Sequence, residues 1–275
     1  MKKEHFAGTY FKGIASDGFP FAIIQSHSSV SGDGLQLILK DASYDIEDPS
    51  SAIREGDRLT LNIHQGDLSI EGTLEIKEKH PLSHHAMGPF KIFSMQCCHE
   101  VFSMYHEVHG SLIVNGIEHF FNPGIGYCEG DSGLSFPSEY FWYNAIGTDY
   151  GVTLAYATIP FGPIKFRGLL GFINDGHKEY RLCTYTFAKV TSLTDNSITL
   201  KKGRYTFKAT WEPFEGHPLR APQDGKMDRT ILESLIVPTS FELKKGKKTI
   251  FKKEACLASI EKMDREALKN KKAKI

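Results

Sequence analysis

Tyr127, Glu129 and Asp131 alternate along the stretch Gly126-Tyr127-Cys128-Glu129-Gly130-Asp131-Ser132-Gly133-Leu134-Ser135-Phe136-Pro137, and Tyr140 and Trp142 follow closely. On an extended chain, residues two apart share a face, with Cα atoms about 6–7 Å apart. Two carboxylates at that range in apolar surroundings resist joint ionisation. One pKa rises, and a neutral carboxylic acid persists near neutral pH. Such an acid can protonate a carbon–carbon double bond, and negative aromatic ring faces stabilise the cation that results. Glu129, Asp131 and Tyr127 are therefore the candidate catalytic residues. Phe136, Tyr140 and Trp142 are the candidate ligand-binding rings. A structural alternative stands beside this reading. Both carboxylates would accept backbone N–H bonds to brace a turn permitted by Gly130 and Gly133, and the rings would be ordinary core.

Four more residues join the candidate binding set. His99 and His106 stand seven apart in a strand-like segment. An odd separation puts them on opposite faces unless a bulge intervenes, so a shared metal is not expected. Met227, Arg229, Ile231, Glu233 and Leu235 alternate on one strand face. A charge on an apolar face needs a partner, and the expected partner of Arg229 is Glu129 or Asp131 across the two halves of the chain. There is no phosphate loop or dinucleotide fingerprint. His80, His84 and His85 have no Cys or acidic ligand at close spacing, so neither a metal nor a cofactor is expected.

Four ordered segments carry a family resemblance. Phe6-Ala7-Gly8-Thr9-Tyr10-Phe11-Lys12 looks like an entry strand of the form Gly-Trp-Tyr-Phe-Lys. Met95-Gln96-Cys97-Cys98-His99, followed by Ser103-Met104-Tyr105-His106 and Gly110, forms the second segment. The third is the Gly126–Pro137 stretch, and the fourth runs from Leu219 to Ser234 through Ala221-Pro222, Gly225, Met227, Arg229 and Glu233. Together they resemble the tocopherol cyclase-like family, with Ser132 at a usual Trp, Gln96 at a usual Glu and Thr9 at a usual Trp. The resemblance implies two tandem lipocalin-like β-barrels. It also implies protonation of a prenyl double bond followed by closure of a phenolic oxygen onto the cation. Glu129 or Asp131 would supply the proton, directly or through Tyr127. A non-catalytic lipocalin-like carrier of an apolar ligand, and hydratase or pericyclase chemistry of the tandem-lipocalin type, remain open beside it.

The elements needed to position these residues are strands. Asn115-Gly116 between two alternating runs is the strongest hairpin signal, because both residues tolerate positive φ. Asp175-Gly176 and several Lys/Gly turns repeat the pattern, and regular strand–turn spacing argues for an all-β chain of sandwiches or barrels. The boundary is expected near Phe136–Tyr140, giving one barrel over 1–137 and another over 138–275. Helical pattern is confined to Ser259–Lys271, with Ser259 as N-cap, and to a short candidate at Asp48–Arg54. The apolar ligand cavity is expected inside at least one barrel, with Tyr127, Glu129 or Asp131 near its mouth.

Composition bounds the partners. Of 275 residues 40% are apolar and 24% charged, and Lys+Arg and Asp+Glu balance at 33 each. The balance excludes the basic excess of a nucleic-acid binder. A hydrophobic small molecule is the expected partner, and the basic tail is a solvated helix end before it is a membrane contact. Five cysteines, no CxxC pair and no apolar signal core lead to an expectation of free thiols and a cytoplasmic location.

Overall fold

The computed structural model describes residues 5–93, 95–161 and 164–263. These residues form two antiparallel sheets and three short 3-10 turns. The first sheet contains β1 (Phe6–Ile14), β2 (Pro20–Ser28), β3 (Gly32–Leu39), β4 (Ser43–Ile46), β5 (Ala52–Glu55), β6 (Arg58–Gln65), β7 (Leu68–Lys77), β8 (Cys97–Val114) and β9 (Ile117–Gly133). The second contains β10 (Tyr140–Gly147), β11 (Tyr150–Phe161), β12 (Ile164–Asn174), β13 (Glu179–Arg181), β14 (Lys189–Leu193), β15 (Ser197–Lys202) and β16 (Tyr205–Trp211). It is completed by β17 (His217–Gln223), β18 (Lys226–Lys245) and β19 (Lys248–Met263).

The two sheets repeat one strand order. In the first, β1 lies between β2 and β9, and the path runs β4-β3-β2-β1-β9-β8-β7-β6-β5. In the second, β10 lies between β11 and β19, and the path runs β13-β12-β11-β10-β19-β18-β16-β15-β14, with β17 added as an outer partner of β18. Each half thus pairs its first strand with its last, the closure step of a lipocalin-like barrel. The edge strands β4 and β5 are joined by the 3-10 turn Pro49–Ser51, and β13 and β14 by Thr184–Thr186.

Local chemistry explains the connections. Asn115 and Gly116 take φ of 49° and 83°, as the β8–β9 hairpin requires. Asp224 and Gly225, at 49° and 75°, make the same turn between β17 and β18. Gly176 supplies a φ of 87° in the loop between β12 and β13. The candidate helix at Asp48–Arg54 is a 3-10 turn capped by the Asp48 carboxylate, after which Ala52–Glu55 enters the sheet. The expected helix beginning at Ser259 is not formed where the chain is described. Residues up to Met263 continue β19, where Ser259 pairs with Asn144 and Ile260 with both Tyr143 and Ser234. A strand held on both sides satisfies every backbone group, and this outweighs the N-cap signal. The remainder of the predicted helix lies outside the described residues.

Alternation divides the apolar residues among three cores. Phe11, Phe21, Leu37 and Leu61 fill the first barrel. Val152, Leu154, Phe207 and Leu243 fill the second. The opposite strand faces meet between the sheets, where Tyr10, Met104, Tyr127, Trp142, Ile231 and Leu235 form a third core. Each such side chain contributes about 1.5–3 kcal/mol when fully buried, so the sheets are bound as one body. Polar clamps add direction. Gln36 on β3 donates from Nε2 to the Arg220 carbonyl (2.9 Å) and accepts from the Arg220 N–H (2.6 Å), a pair resembling a ladder bond between the halves. Asp45 bridges Arg220 at 2.5 Å. No described helix is long and apolar enough to cross a membrane.

Candidate functional site

The apolar cleft lies between the sheets, with an interior volume of about 170 Å³. The apolar, Phe- and Tyr-lined space expected inside a barrel is found here between the sheets. The inward faces of both barrels carry close-packed aliphatic and aromatic side chains, and the outward faces of β1, β9, β10 and β18 leave room between them. A wider opening of about 580 Å³ at the end of the first barrel is more polar, lined by residues such as Thr9, Gln25 and His27. It shares the wall at Gly8, Gly130 and Asp131 with the cleft. Glu129, Asp131 and Glu233 all line the cleft.

Strand register builds the first wall. On β9, Tyr127, Glu129 and Asp131 share the outward face, and across the ladder stand Lys12, Tyr10 and Gly8 of β1, in that order. On the other side of β9, His99 of β8 pairs with Asp131. The second wall is a transverse row in which Trp142 of β10 pairs with Glu261 of β19, which pairs in turn with Glu233 of β18.

The two walls meet through hydrogen bonds. Trp142 donates from Nε1 to Glu129 Oε2 at 3.1 Å, and the Tyr127 hydroxyl donates to the same oxygen. His99 Nδ1 lies 3.1 Å from Asp131 Oδ1, and Cys97 Sγ donates to that oxygen at 3.4 Å. His99 Nε2 lies 3.5 Å from Glu129 Oε2, within ion-pair range but without hydrogen-bond geometry, and it has no other partner. A second network starts from Tyr10, whose hydroxyl donates to Glu233 Oε1 at 2.6 Å. Lys12, fully buried nearby, donates from Nζ to Ser259 Oγ at 2.9 Å. Tyr140 donates to Glu261. The rings of Tyr10 and Tyr127 lie 5.6 and 6.2 Å from that of Trp142.

Burial and charge set the protonation states. Burial pushes Glu129 up to about 7; the neighbouring Asp131 adds to the rise, while His99 and the Tyr127 and Trp142 donors restrain it. Burial alone would lower His99, but Asp131 and Glu129 outweigh it and hold the imidazole at about 9. Burial raises Glu233 to about 8 against the Tyr10 bond and the Lys12 charge. Burial lowers Lys12 to about 7, although Glu233 and Glu129 oppose the shift. Glu261 is also pushed well above the carboxylate range, by burial and then by Glu129 and Asp131. Near neutral pH the cleft therefore presents a protonated His99 beside a Glu129 carboxyl poised to give or take a proton.

The candidates separate cleanly. Glu129, Asp131, His99, Phe136, Tyr140, Trp142 and Glu233 all line the cleft. Tyr127 sits behind Glu129 and reaches the site through its hydroxyl. His106 does not belong to it. The two bulges between Val101 and His106 cancel in parity, so the odd separation from His99 turns it to the opposite face, where its ring stacks on Phe11 in the first barrel, 5.7 Å centre to centre. Burial drives its pKa down to about 3, so it is a neutral core ring. Arg229 is also displaced from its expected role. Its Nη1 donates to the carbonyls of Phe136 (3.1 Å) and Pro137 (2.7 Å), so it ties the inter-sheet segment to β18 and leaves both carboxylates alone. Tyr10, Lys12 and Glu261 were not singled out by the sequence reading. The signal for the first two lay in the Tyr10-Phe11-Lys12 alternation, which puts a phenol and an amine on the face away from the first barrel's core.

His99, Glu129 and Asp131 also bring three ligand-type atoms within 4.8 Å of one another. Glu129 Oε2 already accepts two hydrogen bonds, and Asp131 is engaged by His99 and Cys97. The donor set suits proton transfer better than metal coordination.

No family model and no curated protein matches the chain. Solved structures do. CghA in complex with Sch210972 matches with a TM-score of 0.62 at 9% identity, over 95% of this chain and 89% of that one. A Nitrosomonas europaea protein described as an AttH matches with a TM-score of 0.57 at 12% identity, over 94% and 92%. Kievitone hydratase from Nectria haematococca matches with a TM-score of 0.55 at 10% identity, over 94% and 89%. Likeness at such low identity establishes the fold, a tandem lipocalin-like arrangement spanning nearly the whole chain.

Proposed function

We propose that the protein is an enzyme that takes an apolar, alkene-bearing small molecule into the inter-sheet cleft and adds an oxygen nucleophile across its double bond by acid catalysis. The observation that carries this reading is Glu129, a buried carboxyl at about 7 beside His99 and Asp131, in a cleft walled by Trp142, Tyr140 and Phe136. A general acid works best when its pKa lies near the working pH. Glu129 gives its proton to one alkene carbon, and the cation that forms on the other faces the aromatic rings. The oxygen of water or of a substrate phenol then attacks the cation, and its released proton returns to Glu129. Water gives a hydrated product and an internal phenol gives a ring. Neither consumes a redox equivalent.

Asp131 holds His99 by its Nδ1 edge, so the imidazolium steadies the carboxylate left after proton donation. The tocopherol cyclase-like resemblance supports the ring-closing form, and a hydratase of the same fold supports the hydrating form. The decisive assay incubates the protein with prenylated phenols and isoprenoid alkenes, then identifies products by mass spectrometry. Glu129→Gln should keep ligand binding and abolish turnover, because the acid acts on the transition state. If the wild type binds these compounds and returns every one unchanged, the protein is a carrier and the catalytic reading fails.

A further inference from the structure

Three apolar segments form a rim along one side of the cleft. One is the 3-10 turn Gly88–Ile92 with Phe93, the second is the start of β12, and the third is the turn Thr184–Thr186 with Phe187. Phe90 joins them, with its ring centre 6.1 Å from Phe166, 6.5 Å from Tyr185 and 6.4 Å from Phe93. Gly88 lets the first segment close on the third. A Cβ there would meet the Tyr185 ring at 2.8 Å, and its φ of 53° favours glycine in any case. Phe90, Phe166, Met87 and Tyr185 line the cleft on its inner side.

Beyond these, apolar side chains point into solvent. Ile92 is 76% exposed, Ile164 60% and Phe187 87%, while Phe93, packed on Phe90, is 47% exposed. Phe187 takes a φ of 65°, a region unfavourable for a bulky residue, and its N–H bonds to the Thr184 carbonyl at 2.9 Å. Single exposed apolar residues are common, but a cluster continuous with an apolar cleft marks an interaction surface. The charges carried by these three segments are of one sign. Residues 87–93, 164–170 and 184–189 contain Lys91, Lys165, Arg167 and Lys189 and no Asp or Glu, in a chain whose basic and acidic residues balance at 33 each. Arg167 bridges Glu139 at 3.0 Å, while the three lysines are exposed and have no carboxylate partner among the described residues.

We propose that this rim docks on an anionic lipid bilayer, seating the mouth of the cleft against the acyl chains so that an apolar ligand passes from membrane to cleft without crossing water. The inference rests on reading the cleft as the ligand site. Aromatic and aliphatic tips enter the headgroup boundary while lysines contact anionic headgroups, the combination that anchors peripheral proteins. Each lysine near an anionic surface contributes about fivefold in affinity, and the apolar tips supply the remainder.

The test is flotation of the full chain with phosphatidylcholine vesicles, with and without phosphatidylserine. The wild type should float with the phosphatidylserine vesicles, and less so as salt rises. The triple variant Ile92→Ser, Ile164→Ser, Phe187→Ser should lose binding by about tenfold or more with an unchanged melting curve, since all three side chains are exposed. Lys91→Glu with Lys165→Glu should abolish the preference for phosphatidylserine. In Phe187→Trp, tryptophan emission should shift to the blue on vesicles. Equal flotation of the wild type and the triple variant would overturn the proposal. So would absence from both vesicle types, including the case in which the rim instead mediates self-association that the triple variant abolishes. Turnover of detergent-dispersed substrate should survive the rim substitutions. A loss of Glu129-dependent turnover would leave vesicle binding intact, so failure of one reading is separable from failure of the other.

Discussion

Replacing Glu129 by Gln removes one titration from the cleft while keeping a carbonyl oxygen for the Tyr127 and Trp142 donors. In the folded protein Glu129 titrates at about 7, against an ordinary 4.5. The folded state therefore holds a proton that the unfolded state releases, and raising the pH favours unfolding between those two values. A shift of that size corresponds to about 3 kcal/mol, present in full below the unfolded pKa and lost as pH rises through the folded one. The assay is urea unfolding of wild type and Glu129→Gln across a series from about pH 4 to 8, comparing extrapolated stabilities. The wild type should lose about 3 kcal/mol relative to the variant over that span. Two curves running parallel would mean that Glu129 ionises normally in the folded protein, and the acid-catalysis reading would lose its foundation.

Other substitutions probe the surrounding network. Tyr10→Phe deletes the hydroxyl bonded to Glu233, so the Glu233 pKa should climb further in a carboxyl carbon-13 NMR titration and stability should fall by about 1–3 kcal/mol. Lys12, lowered to about 7 from 10.5, makes the folded protein gain stability as pH rises between those values. Lys12→Met should flatten that rise and be neutral or stabilising at neutral pH, read by the same unfolding series. Arg229→Ala should lower stability by about 1–3 kcal/mol and speed proteolysis near Phe136–Tyr140, yet leave the titration of Glu129 unmoved. A shifted Glu129 titration in that variant would restore the discarded pairing.

Much of this site could be read from alternation alone. The spacing of Tyr127, Glu129 and Asp131 fixed a common face, and Asn115-Gly116 fixed the hairpin that brings β8, with His99, alongside it. Alternation cannot say which of two buried faces borders a ligand. Around Gly126–Gly130 both faces of β9 are buried, one by the first barrel's core and the other by the second sheet, and the apolar cleft lies on the side of the second sheet. Parity counting held for the histidines: the two bulges from Val101 to His106 cancel in parity, so the odd separation still sends His99 to the cleft and His106 to a barrel core. Glu261 was hidden by local signals. Ser259, Glu261 and the following lysines match a helix start, but pairing with β10 and β18 decides the outcome, and no local pattern encodes those partners.

The repeated strand order carries a further implication for how such a site is built. Tyr10 pairs with Glu129 where the first strand of one half meets its last, and Trp142 pairs with Glu261 at the matching place in the other. A homodimer of a single half would set two copies of one carboxylate about its rotation axis, identical by symmetry. Such a couple shares its protons and cannot assign donor and acceptor to different members. Within one chain, the counterparts are free to diverge. Glu129 has acquired a histidine and an indole N–H, while Glu261 has a phenol from Tyr140. Covalent linkage of the halves thereby leaves the two sides of the cleft chemically unequal, which no symmetric assembly of one half would be.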